Sequence, residues 1–206
     1  MSETKENILN VALKLFAHDG YEAVSVSTIA GELGITKGAL YRHYKNKRDI
    51  FDSIVEKMYE IDEKRAMEYD VPESEYAENP ECYKKASIDS VKRYTLAQFE
   101  FWTKDVFASN FRKMLVLEQY RNDEMAKLYR ECIVFGPELY MERIFDEMMK
   151  REILKKSEPR YLALEFYAPF YLLVNSYDYE TNIEELREML EKHIESFFEE
   201  RAKIIK

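Results

Sequence analysis

Ser25-Val-Ser-Thr-Ile-Ala-Gly-Glu-Leu-Gly-Ile-Thr-Lys-Gly-Ala-Leu-Tyr-Arg-His-Tyr44 is the stretch on which the reading of this chain turns. Ser25 offers a side-chain oxygen to the unbonded N–H groups at the start of a short helix, and Val26, Ile29, Ala30 and Leu33 form that helix's inner face. The helix stops at Gly34, where positive φ carries no steric cost. Thr36 caps the next helix, in which Leu40 and Tyr44 share one face at i and i+4 while Lys37, Tyr41, Arg42 and His43 are left outside. Two short helices around a glycine turn, the second basic and exposed, spell a helix-turn-helix.

The residue types suit a helix that enters a DNA groove. A major groove about 12 Å wide admits a helix whose leading side chains are small or able to hydrogen-bond, as Lys37, Gly38 and Ala39 are. Tyr41, Arg42, His43, Lys45 and Lys47 then fall where flanking phosphates would lie, and they fix register there without reading bases. With the capping Thr36, these make the candidate DNA-contacting set. Asn46 caps a fourth helix, whose first N–H groups also favour a phosphate. Upstream, Ile8, Ala12, Leu15 and Phe16 recur at helical spacing, and Gly20 marks the stop of that first helix.

The charge is distributed to match. The chain has 31 basic and 40 acidic residues, net −9. Residues 1–50 hold 7 basic and 6 acidic side chains, net +1, so residues 51–206 hold 24 and 34, net −10. Between Thr36 and Arg48 there is no acid at all. Such asymmetry suits one short DNA-facing element on a body that phosphate repels, although a plain solvated face would read the same way on charge alone.

Downstream, Phe51, Ile54, Val55, Met58 and Ile61 continue a helix from Lys47 to about Tyr69, a rod of roughly 30 Å. Residues 70–80, with two prolines, read as a surface loop. Periodicity resumes near Ala86 through Val91, Leu96, Phe99, Trp102 and Val106, and again through Phe111, Leu115, Val116 and Tyr120. Gly136-Pro137-Glu138 reads as a helix start. Tyr161 to Val174 is apolar nearly all round. Thr181-Asn-Ile-Glu184 reads as a capping box before Ile183, Leu186, Leu190, Ile194, Phe197 and Ile204 in near-heptad register. These two stripes would be hard to bury within one chain, and intramolecular packing is the alternative. The expected fold is all-α: a three-helix DNA-binding domain over residues 1–50 and a larger helical domain over 51–206.

Several function classes are excluded. Residues 161–174 include Glu165 and Pro169 and fall short of the roughly 17–25 apolar residues that a spanning helix needs, and the N-terminus lacks a signal-peptide pattern. The expected setting is the cytoplasm. Cys82 and Cys132 are far apart, and His18, His43 and His193 are scattered. No His-x-x-x-His, Cys-x-x-Cys, Gly-rich phosphate loop or nucleophile elbow is present, so neither catalysis nor a metal or cofactor is expected.

The stretch Gly20 to Ile50 closely resembles the DNA-binding domain of TetR-family (tetracycline-repressor-like) transcriptional regulators. Residues 36–44 match the family's recognition helix almost position by position, and Lys45-Asn46-Lys47 matches its phosphate-contacting turn. Val24 stands where the family usually carries Thr, and Ser27-Thr28 where an acid is common. Ser27 and Thr28 therefore join the candidate DNA contacts. The resemblance implies a homodimer on operator DNA in which the last two helices pair with their twins, here through Leu164, Tyr171, Leu186, Leu190, Ile194 and Phe197. It also implies a small, largely apolar effector bound in the body and repression relieved by that effector. Residues 51–206 hold 25 of the 29 aromatic residues, and Phe99, Trp102, Tyr120, Tyr140, Phe166 and Phe170 are the candidate pocket lining. An aromatic at helical spacing is equally compatible with plain core. A dimeric DNA-binding protein without an effector is the competing reading.

Overall fold

The computed structural model describes residues 3–69, 83–177 and 182–203, and the described chain is all-α. The loop expected at residues 70–80, Cys82, Thr181 and Ile204 lie outside the described residues. The chain divides into two compact units, Met1–Asp62 with Lys104–Tyr129 and Glu63–Thr103 with Arg130–Lys206. Residues 104–129 thus join the N-terminal segment, whereas the division at residue 50 assigns them to the body.

The first unit contains α1 (Glu3–Asp19), α2 (Val26–Glu32), α3 (Lys37–Tyr41), the leading part of α4 (Lys47–Glu68), α6 (Val106–Glu118) and α7 (Asp123–Tyr129). On α1, Ile8, Leu9, Ala12, Leu13 and Phe16 are buried, and this apolar stripe packs against α6, which buries Ala108, Phe111, Met114 and Leu115. Asp105 caps α6 by accepting the Ala108 N–H at 2.9 Å. The apolar run read through Val106 is therefore two helices, and Val106 itself is exposed.

The second unit contains α5 (Ile88–Lys104) except for its last residue, a π-helical turn (Arg130–Val134), α8 (Phe135–Lys150), α9 (Pro159–Ser176) and α10 (Ile183–Arg201). Gly136-Pro137 does not start a helix from a loop, because the helical path already runs from Asp123 through the π turn and Val134 supplies no side-chain cap. Gly136 has another reason to be there, since a Cβ at this position would collide with the Glu131 carbonyl oxygen. The cap of α10 is Asn182, whose Oδ1 accepts the Glu185 N–H at 3.3 Å, one residue later than the sequence pattern suggested. An isolated bridge between Leu154 and Ala202 ties the end of α10 to the α8–α9 connection, with the Lys155 N–H donating to the Arg201 carbonyl at 2.8 Å.

Candidate nucleic-acid interface

The helix-turn-helix is built by three local caps. The Ser25 Oγ accepts the Thr28 N–H at 3.0 Å, the Thr36 Oγ1 accepts the Ala39 N–H at 3.1 Å, and the Asn46 Oδ1 accepts the Asp49 N–H at 2.9 Å. Each satisfies an N–H that a helix start leaves unbonded. Gly34 adopts φ 65° at the turn, and Leu40 and Tyr44 are buried. The Tyr44 hydroxyl donates to the Lys5 carbonyl at 3.1 Å, and burial pushes its pKa up to about 12. This seats α3 against α1, leaving its other face to solvent.

Thr36, Lys37, Gly38, Tyr41 and Arg42 on and beside α3 are exposed, as are Ser27 and Thr28 of α2 and Lys45 beyond α3, while Ala39 and His43 are half-buried. The Lys37 ammonium lies 5.7 Å from the Tyr41 ring centroid, so a cation and an aromatic hydroxyl are presented together. Lys47 departs from its expected place. Its Nζ donates to the Tyr21 carbonyl at 2.7 Å and sits 4.2 Å from the Tyr21 ring centroid. It also donates to the Glu22 carbonyl. An ammonium held by two carbonyls and a ring fixes the α1–α2 connection rather than standing ready for a phosphate. Sequence reasoning missed Arg48, which is exposed but bound bidentately by Glu124 of α7 and by Asp52. Hydrogen bonds donated to Glu124 first and to Asp52 second hold the guanidinium above its ordinary range. No local signal pairs residues 48 and 124, which lie 76 positions apart.

The geometry is that of a helix-turn-helix, and the sequence model described as "Bacterial regulatory proteins, tetR family" matches residues 8–54. Residues 8–54 form a DNA-binding domain of the tetR family. The HTH-type transcriptional regulator AcrR of Shigella flexneri is 46% identical over 54 residues, which are 26% of this chain and 25% of that one. The match thus spans about a quarter of that relative's length. A transcriptional regulator of Saccharomonospora viridis solved with choline aligns over 99% of this chain and 100% of its own, at 16% identity and TM-score 0.68. SmeT, the repressor of a Stenotrophomonas maltophilia multidrug efflux pump, solved with triclosan, aligns over 98% of this chain and 93% of its own, at 18% identity and TM-score 0.65. These two likenesses show that the chain shares their fold. No helix among the described residues is long and apolar enough to cross a membrane.

The two residue sets proposed for the body fare unevenly. Tyr120 is 89% exposed at the end of α6, in the first unit, and does not line a cavity in the body. Phe166 is packed within a cluster with Phe145, Phe197 and Phe198, its ring centroid 4.9 Å from that of Phe197. Phe99 and Phe170 meet edge to face at 6.4 Å, and Trp102 is buried beside Phe101. Tyr140 joins a row of tyrosines, with centroids 6.1 Å from Tyr94 and 6.5 Å from Tyr83, and Tyr94 is 6.1 Å from Tyr69. The buried Tyr83 hydroxyl has no hydrogen-bond partner among the described residues.

The expected dimer stripe needs the larger correction. Leu186, Leu190, Ile194 and Phe197 are buried within the single chain, Leu190 fully, and Phe197 packs on Phe145 of α8 and Phe166 of α9. The stripe is covered by the chain's own helices because α8 supplies a third apolar face that the two-helix reading left out. Of the named residues, Tyr171 is half-buried and Leu164 is exposed. Leu164 shares an outward α9 face with Tyr161, Ala168 and Leu172, at helical spacing.

Proposed function

We propose that this TetR-family transcriptional regulator acts as a cytoplasmic homodimeric repressor that releases operator DNA when a small, largely apolar effector binds its C-terminal unit. The observation that carries the DNA-reading part is the exposed face of α3, where Lys37, Gly38, Tyr41 and Arg42 stand on a helix whose caps and buried face are all engaged. Ser27, Thr28 and Lys45 supply flanking contacts, and Ala39 and His43 line the edge. Effector response is supported by structural neighbours solved with choline and with triclosan. In this chain the tyrosine row Tyr69, Tyr94, Tyr140 and Tyr83, with the buried Tyr83 hydroxyl, is the favoured place for an effector's polar group. The second copy docks on the α9 face of Tyr161, Leu164 and Leu172, all more than half exposed.

The test uses a fluorescein-labelled duplex selected on the wild-type protein from a random-sequence library. With Lys47 and Arg48 engaged by the protein's own acceptors, three exposed cations of the candidate set per subunit (Lys37, Arg42, Lys45) remain, and a dimer should give a slope of log K against log salt of about −5, at about −0.9 per phosphate. A slope near zero overturns the electrostatic reading. Apolar and aromatic compounds that bind the protein should weaken that complex, and binding without release at saturation favours the effector-independent dimer.

A further inference from the structure

The residues 118–124, which join α6 to α7, lie outside the stretch matched by the family's sequence model yet grip the helix-turn-helix on both sides. On the near side, Glu118 is almost completely buried, and its Oε1 accepts the backbone N–H of Tyr21 at 3.0 Å. The carboxylate lies against Gly20, at φ 88°, so closely that a Cβ there would stand 2.5 Å from Oε1. Tyr21 is otherwise held by the Lys47 ammonium on its carbonyl and by Phe16 and Phe51 on its ring, at 5.1 and 5.3 Å. On the far side, Glu124 binds the Arg48 guanidinium with both oxygens. The two grips are linked. The Glu118 carbonyl accepts the N–H groups of Arg121 and Asn122, and the Asn122 side chain then caps α7 by accepting the Glu124 and Met125 N–H groups.

Tyr21 lies in the connection from α1 to α2 and Arg48 in the first turn of α4, so one short turn holds the chain both before and after the segment that presents Lys37 to Arg42. We infer that the α6–α7 turn is a clamp on the helix-turn-helix and that Glu118 is its principal positioning residue, acting on DNA recognition through the Tyr21 amide. Beside its 4.0 Å ion pair with Arg121, the buried Glu118 carboxylate restrains the chain direction at Tyr21 by accepting that backbone N–H, because leaving either partner unbonded inside the protein is costly. The inference rests on the DNA-reading function proposed above and adds a residue, remote in sequence, that sets how the reading head is held.

Glu118→Ala removes the acceptor, while Glu118→Gln keeps an oxygen in place. The expected result for Glu118→Ala is exchange of the Tyr21 amide hydrogen faster by about tenfold and affinity for the selected duplex lower by about tenfold, the scale of one lost hydrogen bond to a charged group. Binding to a duplex of unselected sequence should change less, because surface cations remain. Glu118→Gln should restore most of both losses. Unchanged Tyr21 exchange and unchanged duplex affinity in Glu118→Ala overturn the clamp, as does a Glu118→Gln protein that is impaired as fully as Glu118→Ala. If Glu118→Ala does not fold, Glu124→Gln carries the test: the selected duplex should be bound several-fold more weakly, and wild-type affinity refutes the inference. A wild-type protein that selects no duplex would sink the DNA-reading function itself, while Tyr21 exchange in the Glu118 variants would still decide the clamp.

Discussion

In the first unit, Ser25, Thr36 and Asn46 each bond the N–H three residues ahead, whereas in the second, Leu190 and Phe197 are covered by helices that lie far away in the sequence. Both regions are helical and both bury their apolar stripes. They differ in where the decisive interaction is made. A cap is settled within four residues, so its partner is written beside it. An apolar stripe states only that something will cover it, and two helices of a second copy or one more helix of the same chain satisfy it equally. The lesson is that short-range polar chemistry can be assigned to atoms from sequence, while the partner of a greasy face waits for the tertiary structure.

The strongest way to break this contrast is Leu190→Glu. Because Leu190 is fully buried within the chain, an unpaired carboxylate there should lower stability by on the order of 3–5 kcal/mol and unfold the second unit, whatever the oligomeric state. Leu164→Glu, on an exposed face, should keep the melting temperature of the protomer and yield a monomer in sedimentation. If Leu190→Glu instead sediments as a folded monomer, the stripe faces a second copy after all.

Gly20→Ala sharpens the comparison from the other side, because Gly20 combines positive φ with contact from a carboxylate 98 residues away in the chain. A loss of about 1–3 kcal/mol is expected by thermal or chemical melting. A neutral outcome would mean that the connection relaxes freely and that Glu118 does not press on it. Thr36→Ala removes only the cap of α3 and should cost about 1 kcal/mol, with weaker binding of the selected duplex as the more sensitive measurement.

The smallest effect concerns acid. Hydrogen bonding to Arg48 holds the Glu124 carboxyl below the usual carboxylate range, so the folded protein binds this proton less readily than the unfolded chain does. Its contribution is therefore complete above the ordinary glutamate pKa of about 4.3 and is lost as pH falls through the lower folded value. Both side chains are about half exposed, which limits the contribution to roughly 0.2–1 kcal/mol. Melts of Glu124→Gln and the wild-type protein should differ at neutral pH and converge in acid. A gap that widens in acid contradicts the assignment.

The positions of α1 to α4, the caps Ser25, Thr36 and Asn46, the stop at Gly20, the positive φ at Gly34 and the buried Leu40 and Tyr44 were all legible, because glycine, cap and stripe lie within one or two turns of each other. The role of Lys47 was not, since a lysine beside a recognition helix reads as a phosphate contact until its ammonium is found on the Tyr21 carbonyl. Glu118 and Glu124 were invisible for the same reason in reverse: two acids among 40, made significant only by partners 97 and 76 positions away. Beyond residue 50, the aromatic abundance was plain, but Tyr120 turned outward and Phe166 into the core, a choice that composition does not encode.

The π turn at Arg130–Val134 amounts to one residue more than an unbroken α-helix from Asp123 to Lys150 would use, and Gly136 is there because the Glu131 carbonyl occupies the space of a side chain. Chain length and residue identity are thereby linked in descent. A relative that keeps the surplus residue is confined to glycine at the position of Gly136, while one that has lost it is released from that requirement. Insertion and glycine should be inherited together, and a gap in one lineage's alignment should be accompanied within a few residues by the first appearance there of alanine or a larger side chain.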